Sequence, residues 1–223
     1  MQKQGTLIGR VLSVQVGLPR TVPWQGRHAT TAIFKEPVAG AVAVGHLNLA
    51  GDAQADLSVH GGPDKAIYCY PTEHYPFWHE QLPEVTFPPG AFGENLTTEG
   101  VQEDTVAIGD RWRIGTAVVE VTQPRLPCFK LAVRFGRRDM LRRFLASGRT
   151  GLYLRVVQEG QIAAGDAIEH LACGVPRLTV AGLTRLILAP HLDHETLQRA
   201  LAVAALPQVW RAYFTELLRH ATA

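Results

Sequence analysis

The chain is poor in cysteine, in long apolar runs and in excess charge of either sign. Its three cysteines, Cys69, Cys128 and Cys173, are odd in number and include no Cys-x-x-Cys pair. That argues against a disulfide framework or a cysteine-rich structural zinc site and points to a reducing, cytoplasmic compartment. No apolar run approaches the roughly 18 residues of a membrane span, and Met1-Gln2-Lys3-Gln4-Gly5 lacks the apolar stretch of a secretory signal. Lys and Arg total 22 against 20 Asp and Glu, a net charge of +2, so neither nucleic acid nor an anionic membrane is an expected partner. There is no GxSxG, P-loop or GxGxxG segment to anchor serine hydrolysis, nucleotide hydrolysis or dinucleotide binding.

What is present is 223 residues, 46% apolar, enough for one large domain or a main domain with a small appendage. Thr6–Val16 reads as a strand, with Ile8, Leu12, Val14 and Val16 on one face. Residues 28–34, 41–49, 66–70, 106–108, 111–114 and 117–122 read as further strands, with Gly109-Asp110 and Gly115-Thr116 as turns between the last three. Residues 152–157 and 167–171 read as a hairpin. Helices are predicted over 72–81 and 138–146. Beyond Pro176, the segments 178–188, 195–205 and 208–220 read as three short helices. Asp193 is placed as an N-cap, and Val209, Trp210, Tyr213, Phe214, Leu217 and Leu218 form one apolar stripe. The expected class is α+β, mainly β: a barrel over 1–175 and a C-terminal three-helix subdomain over 176–223.

Three segments carry chemistry. His60-Gly61-Gly62-Pro63-Asp64-Lys65 pairs a sharply turning backbone with donors suited to an anion, and it equally suits a plain tight turn. Phe92-Gly93-Glu94-Asn95-Leu96 offers a carboxylate and an amide in succession; in a strand only one of them can face a given pocket. Gln123-Pro124-Arg125-Leu126-Pro127-Cys128-Phe129-Lys130 sets a cysteine where a strand ends and a helix begins. Helix amides, Arg125 and Lys130 there favour a thiolate. Cys69 and Cys173 read as structural. Arg134, Arg137, Arg138, Arg142 and Arg143 suit either a phosphate or a solvated helix face.

Taken together and in this order, the segments His60–Ala66, Tyr70-Pro71, Gly93-Glu94-Asn95-Leu96, Gly109-Asp110 and Gln123–Leu131 resemble the MOSC domain family, named for the C-terminal domain of molybdenum cofactor sulfurases. Within it they resemble the standalone bacterial YiiM-like type, whose helical extension corresponds to 176–223. The resemblance implies a β-barrel that binds the pyranopterin molybdenum cofactor, with Cys128 as the metal ligand. It also implies reduction of N-hydroxylated compounds such as 6-hydroxylaminopurine. His60, Gly61, Gly62, Lys65, Arg125 and Lys130 would then hold the cofactor's phosphate, Asn95 its pterin, and Glu94 would deliver a proton to the leaving oxygen. The chain is too short for the sulfurases' pyridoxal-phosphate domain, so no such cofactor is expected. Without a flavin, haem or iron–sulfur motif, a separate electron-donor reductase is an implied partner.

Two other classes of function stay open on sequence. Cys128 serves equally well in a carrier that holds a persulfide or the cofactor without turnover. A non-catalytic barrel whose helical tail binds a partner would leave Cys128 inert. Trp210, Tyr213 and Phe214 suit packing within the tail, packing onto the barrel, or a homodimer seam.

Overall fold

The computed structural model describes residues 5–55 and 61–221. Twelve strands are present among them: β1 (Thr6–Val16), β2 (Arg20–Trp24), β3 (Arg27–Thr31), β4 (Glu36–Pro37), β5 (Val42–Val44), β6 (Ile67–Pro71), β7 (Leu96–Glu99), β8 (Arg111–Ile114), β9 (Ala117–Pro124), β10 (Leu152–Gln158), β11 (Gly160–Ile162) and β12 (Ala167–Ala172). Six α-helices accompany them: α1 (Tyr75–Gln81), α2 (Phe129–Phe135), α3 (Met140–Ser147), α4 (Val180–Leu188), α5 (His194–Leu201) and α6 (Gln208–Ala221). Seven strands in the order β12-β8-β9-β10-β6-β7-β1 close into a barrel through pairing of β1 with β12, and β4 extends β1. The barrel is mixed, because β6 runs parallel to β7 while its other ladders are antiparallel. The expected class, a barrel with C-terminal helices, is the one found.

The barrel needs two cores because several strands are covered on both faces. Strand β6 is buried at all five positions. Its inward residues Ile67 and Cys69 join Val11, Val14, Trp112, Val119 and Leu154 inside the barrel. Its outward residues Tyr68 and Tyr70 join Trp78, Phe87, Phe92 and Phe144 in an aromatic cluster beneath α1, α2 and α3. Alternation of side chains along a strand divides the two sets. Tyr70 stacks on Phe92 with ring centroids 4.4 Å apart, and Trp78 donates through Nε1 to the Tyr70 hydroxyl at 2.6 Å. Gly151 is demanded by this packing: its φ is +66°, and a Cβ there would lie 2.4 Å from the Cys69 carbonyl oxygen.

The three C-terminal helices cap the barrel. Val180, Leu183, Leu197, Ala200, Val203 and Phe214 belong to the same apolar cluster as the barrel interior. Phe214 is fully buried there, Trp210 is half-buried, and Tyr213 is exposed. Asp193 caps α5 as expected, its carboxylate accepting from the Thr196 amide at 2.7 Å. Among the described residues no helix is long and apolar enough to cross a membrane.

Three expectations are corrected and one element goes unpredicted. In β1 the buried face is Val11 and Val14, with Leu12 exposed. Register shifts between Leu7 and Gly9 and between Val11 and Ser13 break the strict alternation. Strands β10 and β12 do not form a hairpin with each other: β10 pairs with β6 and β9, and β12 with β8 and β1. Residues 106–108 form no strand; Ala107 makes a single bridge to Thr179, and the Ala107 amide is taken by the Asp110 carboxylate. The β2–β3 hairpin, turned at Gln25-Gly26 with φ of 52° and 74°, was not legible, because Gln is an uncommon residue at that left-handed position.

The aromatic cluster should carry much of the fold's stability. Replacing Phe92 by Ala empties the point where the rings of Tyr70, Trp78, Phe87 and Phe144 converge. The expected loss is about 3–5 kcal/mol, seen as a lower urea midpoint with an unchanged denaturant slope.

Candidate functional site

A cleft of about 90 Å³ opens where β9 runs into α2. Its lining includes Lys35, Asp52, Lys65, Tyr68, Asn95, Arg125, Cys128, Lys130 and Tyr153. The chain leaves β9 at Pro124 and passes buried Arg125. Within a few residues it reaches Cys128, the half-exposed N-cap of α2, whose carbonyl accepts the Leu131 amide at 2.9 Å. The Cys128 side chain makes no capping hydrogen bond, so its sulfur is left to the cleft. Burial separates the three cysteines: Cys69 is wholly buried, which pushes its thiol far above the usual range, and Cys173 is exposed on another face.

The wall beside Cys128 is cationic. Arg125 lies over the Tyr68 ring at 4.8 Å and the Phe144 ring at 5.4 Å, and donates to the Phe92 carbonyl at 2.7 Å. Lys65 and Lys130 complete this rim. Partial burial draws the Lys65 ammonium below its ordinary pKa, opposed by Asp64 and Cys128. Burial holds the Tyr68 and Tyr153 phenols well into their neutral form, so both present hydroxyls rather than charge.

The floor is a buried ion pair that sequence reasoning missed. Lys35 Nζ pairs with the Asp52 carboxylate, their side chains 8% and 1% exposed. Asp52 also accepts the Gly17 amide at 2.9 Å and the Asn95 side-chain amide at 2.8 Å. Burial lowers the Lys35 pKa, against the pull of Asp52. Neither residue sits in a motif of recognisable chemistry, and they meet only because β1, the segment after β3 and the segment around Asp52 converge here. The one available signal was the charged residue at 35 between Ile33-Phe34 and Glu36-Pro37.

The structure separates Asn95 from Glu94 in the irregular segment just ahead of β7. Asn95 faces the cleft, its Oδ1 accepting the Tyr68 amide at 3.1 Å while its Nδ2 holds Asp52. Glu94 points the other way and is fully buried. It accepts from the Tyr75 hydroxyl, the Gly90 amide at 2.8 Å, the Phe92 amide at 3.0 Å and the Thr97 hydroxyl at 3.2 Å. Glu94 does not line the cleft. With four donors on its carboxylate it organises the turn at 90–97, and proton delivery from it to a cleft ligand has no direct route. Gly61 and Gly62 lie outside the lining, with Gly62 at φ 94° opening a short turn that carries Lys65 into the cleft. His60 lies outside the described residues. Four arginines of the 134–143 cluster are engaged: Arg137 with Glu84 and Asp139, Arg143 with Asp139, Arg134 with the Ala91 carbonyl and Arg138 with Gln25.

This barrel, with its thiol-bearing cationic cleft, belongs to the MOSC domain family, whose family model matches residues 56–169. A YiiM-like 3-alpha helix domain matches residues 178–221. The chain is 44% identical over 204 residues to YflK of Bacillus subtilis (strain 168), covering 92% of both proteins. It superposes on the crystal structure of YiiM from Geobacillus stearothermophilus with a TM-score of 0.79 at 36% identity, covering 94% of this chain and 99% of that one. It is also 38% identical over 171 residues to a protein of Gibberella moniliformis (strain M3125 / FGSC 7600) named as a reductase; the match spans 75% of this chain and 30% of that longer protein.

The buried pair gives a stability test. Lys35→Met strands a buried carboxylate and should cost about 3–5 kcal/mol. Adding Asp52→Asn removes the stranded charge and should recover part of that loss, measured by chemical denaturation of the two variants side by side.

Proposed function

We propose that this protein is a molybdenum-cofactor-dependent reductase of N-hydroxylated compounds such as 6-hydroxylaminopurine. The observation that carries the reading is a partly exposed thiol, Cys128, standing free at the mouth of a cleft lined by lysine and arginine. Family membership and a reductase-named relative support it.

The residues present fit the group. A soft thiolate suits molybdenum. Lys65, Arg125 and Lys130 offer charge-assisted donors to a phosphate, which pairs well with both lysine and a guanidinium. Asn95 and the neutral hydroxyls of Tyr68 and Tyr153 offer hydrogen bonds to a polar heterocycle. When bound, the cofactor supplies a centre that exchanges two electrons with the substrate. The overall change is R–NHOH + 2e⁻ + 2H⁺ → R–NH₂ + H₂O, with the electrons drawn from a separate reductase.

The protons call for a donor in the cleft, and Lys35 takes that role in place of Glu94. Its ammonium is held on the floor by Asp52, and its burial eases release of a proton relative to a free lysine. Asp52 and Asn95 keep the ammonium in place. Arg125, by contrast, keeps its charge at all working pH values.

Molybdenum per chain tests the reading, measured by elemental mass spectrometry on protein from cells that make the cofactor. Near-stoichiometric metal in the wild type, lost in Cys128→Ser, is expected. Absence of metal from both would sink the enzyme reading, and a persulfide on Cys128 would then identify a carrier.

For the proton donor, the loaded enzyme's rate should fall as pH rises through the lowered Lys35 value, below the ordinary lysine range. Lys35→Arg keeps the charge but cannot release a proton, so it should slow turnover by roughly 10²–10⁴-fold and remove that alkaline limb.

A further inference from the structure

The C-terminal helices reach the turn that carries Lys65 into the cleft. Arg155, on β10, joins three parts of the molecule. Its Nη2 lies 2.8 Å from Asp64 Oδ1 and donates to the Ala205 carbonyl, between α5 and α6, at 3.2 Å. Its Nη1 lies 3.3 Å from Glu120 on β9. A second connection runs beside it. Trp210 on α6 donates through Nε1 to Gln123 Oε1 at 2.7 Å, and Gln123 Nε2 lies 3.4 Å from the Asp64 carbonyl. The Thr122 hydroxyl meets that same carbonyl at 2.7 Å. Asp64 is therefore held at its side chain by Arg155 and at its backbone by Gln123, both of which also touch the helical cap, and at its backbone again by Thr122 from within β9. The next residue is Lys65, and Gln123 is two residues from Arg125, so two of the cleft's cations adjoin the connection.

We propose that Arg155 and Trp210 are positioning residues through which the helical cap sets the Asp64–Lys65 turn, and so the cation that Lys65 presents to a ligand. The cap is thereby part of the binding machinery although none of its side chains lines the cleft. The coupling itself is a property of the fold. Its effect on ligand retention rests on the reading of the cleft given above.

Hydrogen–deuterium exchange of the intact protein tests the coupling without any ligand. Trp210→Phe keeps an aromatic ring and removes the indole N–H. Gln123→Glu keeps the acceptor for Trp210 and removes the donor to Asp64. Arg155→Lys keeps the charge and loses the planar fork that serves three partners. In Trp210→Phe and Arg155→Lys the backbone amides of 61–66 should exchange roughly fivefold faster or more, the change expected from one lost hydrogen bond, with β8 and β12 unchanged. In Gln123→Glu the turn should loosen while α6 does not. Loosening of α6 alone in Trp210→Phe, with 61–66 unmoved, would overturn the proposal. So would uniform loosening of the whole chain in all three variants.

The second readout is molybdenum per chain after growth in cofactor-making cells. Metal should fall in Trp210→Phe and Arg155→Lys, and stay at the wild-type level in Val209→Ala, an exposed neighbour on α6. Faster exchange at 61–66 with wild-type metal retention would overturn the functional half of the proposal. A wild type that takes up no metal would overturn the reading of the cleft, with the exchange result still deciding the coupling.

Discussion

Burial of β6 on both faces is the constraint on which the rest of this structure depends. A barrel strand ordinarily has one face inside, yet here the outward Tyr68 and Tyr70 are as enclosed as the inward Ile67 and Cys69. Covering them requires α1, α2 and α3, and the aromatic cluster under those helices supplies the surface on which Arg125 lies. The Tyr68 amide donates to the Asn95 side-chain Oδ1, and the Tyr68 hydroxyl donates to the Thr150 carbonyl at 2.8 Å. Cations and polar groups of the cleft are thus anchored to one strand that has no freedom to shift.

The charges in the cleft follow a division of labour. Lys35 and Asp52 neutralise each other, and Asp52 is further satisfied by the Gly17 amide and Asn95, so a pair that would be costly in isolation is held by a complete set of partners. Arg125 is buried against rings and a carbonyl instead of a carboxylate. No carboxylate partner to Arg125 or Lys130 is found among the described residues. The cleft therefore keeps positive charge beside the thiol.

Much of this was legible in the residue order, and the exceptions have physical causes. Cys128 could be placed near a helix start because Pro124 and Pro127 stiffen the chain where the preceding strand ends, although the helix Phe129–Phe135 itself was not among the predicted ones. The three C-terminal helices announced themselves through their stripes and the Asp193 cap. Local signals could not show which strands pair. β10 and β12 are close in sequence, but β11 departs to pair with β5, and β10 and β12 belong to different ladders. The bulges of β1 likewise arise from its partners, not from its own alternation. In the site, Glu94 and Asn95 lie ahead of β7 and not in it, so which of them faces the cleft is set by long-range partners, the Tyr68 amide on Asn95 and the Gly90 and Phe92 amides on Glu94. Lys35 and Asp52 escaped notice because a buried ion pair has no sequence period and its members are 17 residues apart.

Closure of the barrel joins the beginning of the chain to its far end. Thr6 sits opposite His170 and Arg10 opposite Ala167. During synthesis the first strand is therefore made long before its partner emerges, and for that interval one edge of β1 has no native neighbour. Contacts of such sequence separation are slow to form, and an unpaired edge is open to pairing with other chains. Arg10, exposed on β1, meets Glu99 of β7 at 2.6 Å across the other edge, the one whose partner is made first. The order of the strands thus makes the earliest part of the molecule the last to be secured, and its protection in the meantime a matter of time as well as of energy.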